Sequence, residues 1–291
     1  MRFPGIIPAV TTPFAATGEV DVDALESNLA ALLDAGVHGI VATGTMGEAG
    51  SMSGAERRTV VEAVVPAVDG RVPVIAGISS GTPAAAIALA ADAADAGVNA
   101  LMMLPPLGYR ADADETIAYY RAVTEAAGLP LMAYNNPEAS GVDMTPDLIV
   151  RLYEEVDGVV AIKECSGDAR RIPALLNAAP GLEVLVGGDD WALEGFCAGA
   201  TGWVTGVADV LPRECVELYD ACRTGDLETA RAIYGRLLPL ARFDMTPKLV
   251  QYFKAAMDAV GLAGGPTRPP RLPLTDDERA ALLDAMAVAT I

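Results

Sequence analysis

The chain has 291 residues, 52% of them hydrophobic, and a formal net charge of −19, room for one large domain or two small ones. So acidic a surface excludes a nucleic-acid partner or an anionic membrane as the natural target, and no apolar run reaches the ~18 residues of a membrane span. A single histidine, His38, and no cluster of His or Cys argue against a protein-built zinc or iron site.

Cys165, Cys197, Cys215 and Cys222 are widely spaced and form no CxxC pattern. The chain opens at Met1-Arg2-Phe3-Pro4-Gly5 with no charged-then-apolar leader. Free thiols in a cytoplasmic protein are therefore expected. No metal and no bound cofactor are expected.

In chain order, short β-type apolar runs alternate with Ala- and Leu-rich helical stretches. The pattern predicts strands at 5–10, 39–43, 74–77, 100–104, 131–134, 159–163, 183–186 and 203–206. Helices are expected near 22–35, 55–68, 83–96, 114–127, 146–156, 169–178 and 191–198, with Gly36 and Gly97 as stop signals. Eight such units imply an α/β fold, a closed (β/α)8 TIM barrel. A doubly wound open sheet is the alternative, weakened by the missing GxGxxG after the first strand. Helical segments near 213–223, 227–240, 248–260 and 275–288 follow. The chain thus divides into a barrel over 1–224 and a C-terminal helical extension over 225–291.

In such barrels the chemistry sits at the C-terminal ends of the strands. Lys163 ends the apolar run Val159-Val160-Ala161-Ile162-Lys163 and is one of three lysines against seventeen arginines. Burial without a partner lowers an amine's pKa and makes it a nucleophile. The competing reading is a lysine that leaves the strand end to meet a carboxylate. Strand two runs into Gly44-Thr45-Met46-Gly47-Glu48, whose glycines permit close backbone approach and whose amides suit an anion. An ordinary βα turn would look similar. Strand five ends in Tyr134-Asn135-Asn136-Pro137, where the phenol is either packed core or a proton donor and acceptor. Strand seven ends in Gly187-Gly188-Asp189-Asp190, with room for substrate at the glycines and Asp189 as a hydrogen-bond partner for its hydroxyls. That Thr45, Tyr134, Lys163 and Gly188-Asp189 share one rim favours chemistry over coincidence.

Together with the opening Gly5-Ile6-Ile7-Pro8-Ala9-Val10-Thr11-Thr12-Pro13-Phe14, three motifs resemble the dihydrodipicolinate synthase/N-acetylneuraminate lyase family. They are Tyr134-Asn135-x-Pro137-x-x-x-Gly141, Ile162-Lys163-Glu164-x-Ser166-Gly167-Asp168 and Gly188-Asp189-Asp190, joined by the Gly44–Glu48 turn. The resemblance spans essentially the whole chain. It implies a class I lyase, commonly a homotetramer built from dimers, acting on a small 2-oxo acid. Lys163 would be the Schiff-base lysine and Tyr134 the proton shuttle. Thr45, with the backbone around Gly44, Met46 and Gly47, would receive the substrate carboxylate, and Val204 would line the same pocket.

Three departures bear on substrate. Met46 stands where dihydrodipicolinate synthases carry a second Thr. Ala139 stands where they carry an Arg that grips a distal carboxylate. Leu107 stands where a tyrosine is lent across the dimer, with Tyr109 two residues on as a substitute. These changes, with the Pro105-Pro106-Leu107 and Arg268-Pro269-Pro270-Arg271 segments, look more like the catabolic branch of the family. They point to 1-pyrroline-4-hydroxy-2-carboxylate deaminase or a 2-keto-3-deoxy acid dehydratase or aldolase. The alternatives are 4-hydroxy-tetrahydrodipicolinate synthase acting on pyruvate and aspartate semialdehyde, then N-acetylneuraminate lyase, then a pyruvate-binding protein without turnover.

Overall fold

A computed structural model describes residues 2–290. Eight parallel strands form one sheet: β1 (Gly5–Pro8), β2 (Ile40–Ala42), β3 (Val74–Gly77), β4 (Ala100–Met103), β5 (Leu131–Asn135), β6 (Val159–Glu164), β7 (Glu183–Val186) and β8 (Gly202–Thr205). From β2 to β8 each strand pairs with the next, and β8 returns to β1 with Ile7 opposite Val204. A parallel bridge between Ala9 and Val41, with Val10 N–H donating to Val41 O at 2.9 Å, closes β1 onto β2. The expected (β/α)8 barrel is therefore present. Its strands read as unbroken apolar runs because both faces are covered.

The helices around the barrel are α1 (Val22–Asp34), α2 (Gly54–Val68), α3 (Pro83–Ala96), α4 (Ala113–Ala127), a one-turn α5 (Pro137–Ser140), α6 (Pro146–Glu155), α7 (Arg171–Ala178) and α8 (Ala192–Cys197). Local sequence sets their ends. Ser53 with Glu56, and Asp112 with Glu115, form capping boxes at the starts of α2 and α4. Gly97 in left-handed conformation stops α3. α5 is the one turn the periodicity missed. Asn136 caps it, Pro137 begins it and Gly141, at φ 74°, ends it.

Four helices follow the last strand: α9 (Pro212–Thr224), α10 (Leu227–Ala241), α11 (Leu249–Ala259) and α12 (Asp276–Ala289). Their apolar faces join the same core as the barrel through Leu237, Leu240, Phe253 and Met286. The connection between α10 and α11 reaches the barrel mouth. His38 lies at the opposite end, where Nδ1 accepts the Ile6 N–H at 3.2 Å and the ring meets Tyr219 edge-on. Among the described residues no helix is long and apolar enough to cross a membrane, no group of metal-binding side chains gathers, and all four cysteines are free.

Candidate active site

Strand register brings the two reactive residues together. β5 and β6 pair with Tyr134 opposite Lys163 and Asn135 opposite Glu164. Side chains alternate along a strand, so one pair enters the barrel and the other faces the helical layer. Outside, Asn135 Nδ2 donates to Glu164 Oε2 at 3.0 Å, and Asn135 Oδ1 accepts the Met144 N–H at 2.9 Å. Glu164 also accepts the Ser166 N–H at 2.6 Å. This polar lock fixes the ends of both strands, and with them the inner pair.

Inside, Lys163 is 7% exposed and Tyr134 6%. The ammonium position lies 4.4 Å from the centroid of the Tyr134 ring, and Lys163 makes no ion pair among the described residues. Its stem packs beside Gly187, where a Cβ would sit 2.9 Å from Lys163 Cε. The Glu164 carbonyl and Cys165 Cβ would lie equally close, so glycine at that position is a steric requirement of the β6 end that carries the lysine.

Burial pushes the Tyr134 phenol well above its usual pKa, with the neighbouring Cys165 adding to the rise and a hydrogen bond from Asn136 opposing it. Tyr134 thus remains a neutral O–H at physiological pH. Asn136 Nδ2 donates to its oxygen at 3.0 Å, which leaves the phenolic proton to be offered elsewhere. The same Asn136 caps α5 by accepting the Ala139 N–H at 3.0 Å. One side chain therefore ties the Tyr134 hydroxyl to a helix start. Asn136 stands within a motif, but no local pattern marks its bond to the tyrosine. Burial also raises the Cys165 thiol to about 12, so it is no competing nucleophile.

The β2–α2 turn is held open by backbone geometry. Thr43 and Glu48, on either side of it, both adopt left-handed conformations at φ 55°, a costly state for residues with side chains. Thr43 Oγ1 donates to Gly77 O at 3.0 Å. Glu48, fully buried, pairs with Lys254 of α11 at 2.7 Å and accepts the Arg268 N–H at 3.0 Å. Within the turn, Glu48 N–H donates to Thr45 O and Ala49 N–H to Gly44 O. The N–H groups of Thr45 and Met46 have no protein acceptor among the described residues. Free amides in a bent backbone form an anion cradle.

These residues line a cavity of about 200 Å³ at the barrel mouth. Of the positions singled out from sequence, Gly44, Thr45, Met46, Tyr134, Ala139, Lys163 and Val204 line it. Thr45 is exposed, and its hydroxyl makes no hydrogen bond to Tyr134. Four expected positions lie elsewhere. Gly47 sits behind the turn, its carbonyl accepting from Thr12 Oγ1 at 2.8 Å. Gly188 packs against the Trp191 indole, with Gly187 taking its place on the wall. Asp189 is buried away from the cavity, and its carboxylate accepts Trp203 Nε1–H at 3.0 Å and the N–H groups of Gly206 and Val207 at 3.2 and 3.1 Å. It braces β7 against β8 instead of holding substrate. Tyr109, expected to act across a dimer, is 50% exposed and off this chain's own cavity wall.

A further wall comes from the C-terminal extension, through Asp244, Met245, Thr246, Pro247 and Leu249. Asp244 Oδ2 accepts the Asp189 N–H at 3.2 Å. Burial raises the Asp244 carboxyl, while the Lys163 charge and that N–H pull it down. Nothing in the local sequence Arg242-Phe243-Asp244-Met245 marks it as part of a site, because it reaches the mouth only through tertiary folding. The assembly offers a shielded amine, a neutral hydroxyl beside it, an amide cradle and one carboxylate on the far wall.

The family model described as the dihydrodipicolinate synthetase family matches residues 2–289. A 4-hydroxy-tetrahydrodipicolinate synthase of Methanothrix thermoacetophila is 37% identical over 98% of this chain and 96% of its own length. One of Methanopyrus kandleri is 35% identical over 96% of this chain and 93% of its own. Among solved structures, a putative dihydrodipicolinate synthetase from Pseudomonas aeruginosa superposes with a TM-score of 0.94 at 37% identity, covering 99% of this chain and 100% of that one. YagE, an E. coli prophage protein of the dihydrodipicolinic acid synthase family solved in complex with pyruvate, gives 0.94 at 26% identity, covering 100% and 99%.

Proposed function

Because the chain belongs to the dihydrodipicolinate synthetase family and is a lyase of the Schiff-base-forming class I type, we propose that Lys163 forms an iminium with the keto group of a small 2-oxo acid such as pyruvate. The observation that carries this reading is the unpaired, enclosed Lys163 amine beside the neutral Tyr134 hydroxyl. The neutral amine adds to the keto carbon to give a carbinolamine. Tyr134 then supplies the proton with which the carbinolamine oxygen departs as water. The substrate carboxylate rests on the Thr45 and Met46 amides. The positive iminium acidifies the adjacent carbon, and loss of its proton leaves an enamine for bond making or breaking.

At finer grain, the names carried by the relatives support 4-hydroxy-tetrahydrodipicolinate synthase, and they lend nothing to the pyrroline-carboxylate deaminase that the motif details favoured. We therefore take addition of the enamine to an aldehyde as the reaction to test first. Borohydride reduction in the presence of pyruvate, followed by intact mass, should give one adduct that Lys163→Ala removes. An adduct that survives in Lys163→Ala sinks the reading. A coupled assay should then show turnover of pyruvate with aspartate semialdehyde and none of 1-pyrroline-4-hydroxy-2-carboxylate; the reverse result restores the deaminase.

A further inference from the structure

Enamine formation asks for a base that the carbinolamine steps do not supply. Tyr134 has given its proton to the departing water, and the carbon beside the iminium must still lose one. The direction of that carbon follows from the other bonds of the reacting centre. One bond runs to the Lys163 nitrogen on β6, the substrate carboxylate turns to the free amides of Thr45 and Met46 after β2, and the departing oxygen turns to Tyr134 on β5. The remaining bond is left to the side of the cavity lined by Val204 of β8 and by Asp244. We propose that Asp244 is the base for this step. Its Oδ1 takes the proton, the C–H electron pair becomes the carbon–carbon double bond of the enamine, and the iminium π pair returns to the Lys163 nitrogen. The proposal rests on the iminium reading of Lys163 and adds a catalytic residue to it.

Asp244 is placed for the task. Its Oδ2 accepts the Asp189 N–H at 3.2 Å, which fixes the carboxylate, and its Oδ1 has no protein partner among the described residues. Asp189 is itself held by Trp203 and the Gly206 N–H. Two residues before it, Gly187 packs on the Lys163 stem, so base and nucleophile are anchored to one turn. The segment carrying Asp244 is stiff, with Phe243 stacked on Tyr252 at 4.1 Å and Thr246 Oγ1 donating to Phe243 O at 2.8 Å. Asp244 and Lys163 form no ion pair among the described residues. The reaction needs that separation, because the methyl carbon of a pyruvate iminium stands about 2.5 Å beyond the nitrogen.

The charged and titrating groups that reach Asp244 are Lys163 of β6, Asp189 and Asp190 after β7, Tyr134 and Cys165. Burial lifts its carboxyl to about 6 while the Lys163 charge holds it down, so at neutral pH it is an ionised base of raised strength. The other candidates fit less well. Glu138 is exposed at the rim, and the Cys165 thiol, pushed up to about 12, stays protonated. Tyr134, as the phenolate left when water departs, is the remaining rival.

Exchange of the pyruvate methyl protons in D2O, followed by proton NMR with the full chain, reads this step without a second substrate. Borohydride trapping reads the step before it. Asp244→Asn and Asp244→Ala should both trap pyruvate within about threefold of the unaltered rate, yet lose exchange per trapped adduct by about 10²-fold. In the unaltered protein, exchange per adduct should fall about tenfold from pH 7 to pH 5, as a carboxylate titrating near 6 requires, and in the variants it should be flat. Exchange that both variants retain overturns the proposal. So does loss of trapping in both, because the carboxylate would then act before the iminium forms. Full exchange per adduct in the Asp244 variants with none in Tyr134→Phe gives the step to Tyr134 instead. Absence of any pyruvate adduct on the unaltered protein overturns the iminium reading, and this one with it.

Discussion

Two of the three lysines in this chain are buried, and they differ in nearly everything else. Lys254, 1% exposed, sits 2.7 Å from the Glu48 carboxylate, donates to Pro266 O at 2.8 Å and lies over the Phe14 ring. Lys163, 7% exposed, has an aromatic ring below it, open cavity above it and no carboxylate partner. A buried ammonium is costly unless it is paired. Lys254 is paired, and its environment is that of a structural cross-link. Lys163 is unpaired, and the site can use it only as an amine that reacts. Burial alone does not mark a catalytic lysine; burial without a partner, at the mouth of a cavity, does.

Breaking each lysine should separate the two roles. Lys163→Ala should lower turnover by on the order of 10³ or more, with the melting temperature nearly unchanged because no bond is lost. Lys254→Met should do the opposite. Left with only the Arg271 guanidinium at 3.5 Å and the Arg268 N–H, the buried Glu48 carboxylate should cost the fold about 3 kcal/mol, read as a lower denaturation midpoint, while the molecules still folded retain the borohydride-trapped adduct. Adding Glu48→Gln to Lys254→Met should recover much of that loss, since the under-compensated buried charge is then gone. If Lys254→Met abolished trapping in folded protein, the contrast would collapse.

Two smaller effects sharpen the comparison. Tyr134→Phe removes the proton but keeps the ring under Lys163, so kcat should fall by about 10²-fold with little change in stability. Asp244→Asn bears on the far wall. The folded-state pKa of Asp244 is raised by burial to about 6, so the fold favours its protonated form. Its contribution is fully present below the unfolded value near 3.8 and is lost as pH rises through about 6. Relative to the unaltered protein, Asp244→Asn should therefore gain roughly 2–4 °C in Tm at pH 8 and nothing at pH 4. Lys163 and Asp190, which act on Asp244, and Asp189, on which Asp244 acts, remain in both proteins. A gain of equal size at both pH values would rule out titration as its cause.

The inner rim was legible because strand ends write it locally. A lysine closing an apolar run, a tyrosine closing the adjacent strand and a glycine turn all lie within a few residues of a recognisable strand, and barrel topology supplies the rest. Asp189 was misread for the same reason. A carboxylate after two glycines looks like a ligand for substrate, yet the Trp203 indole and two amides across β8 claim it. Asp244 and Lys254 were not legible at all. Each stands in helical or loop sequence with no local signal, and its role comes from the C-terminal extension folding back over the mouth. Asn136 was half legible, since a cap before Pro137 is a local pattern but its hold on Tyr134 is a matter of side-chain geometry.

The pairing of Glu48 with the last quarter of the chain carries a consequence for synthesis. Arg268 donates to Glu48 across 220 positions, and contacts this distant in sequence form only when both partners exist. A chain growing from the ribosome has Lys163 and Tyr134 in hand long before Lys254 and Arg268 emerge. Through that interval the strained turn between Thr43 and Glu48 has its bonds to Thr12 and Gly77 but not the Lys254 and Arg268 contacts to Glu48. The last brace of the turn is thus added only when the C-terminal extension emerges, after the nucleophile is already in the chain.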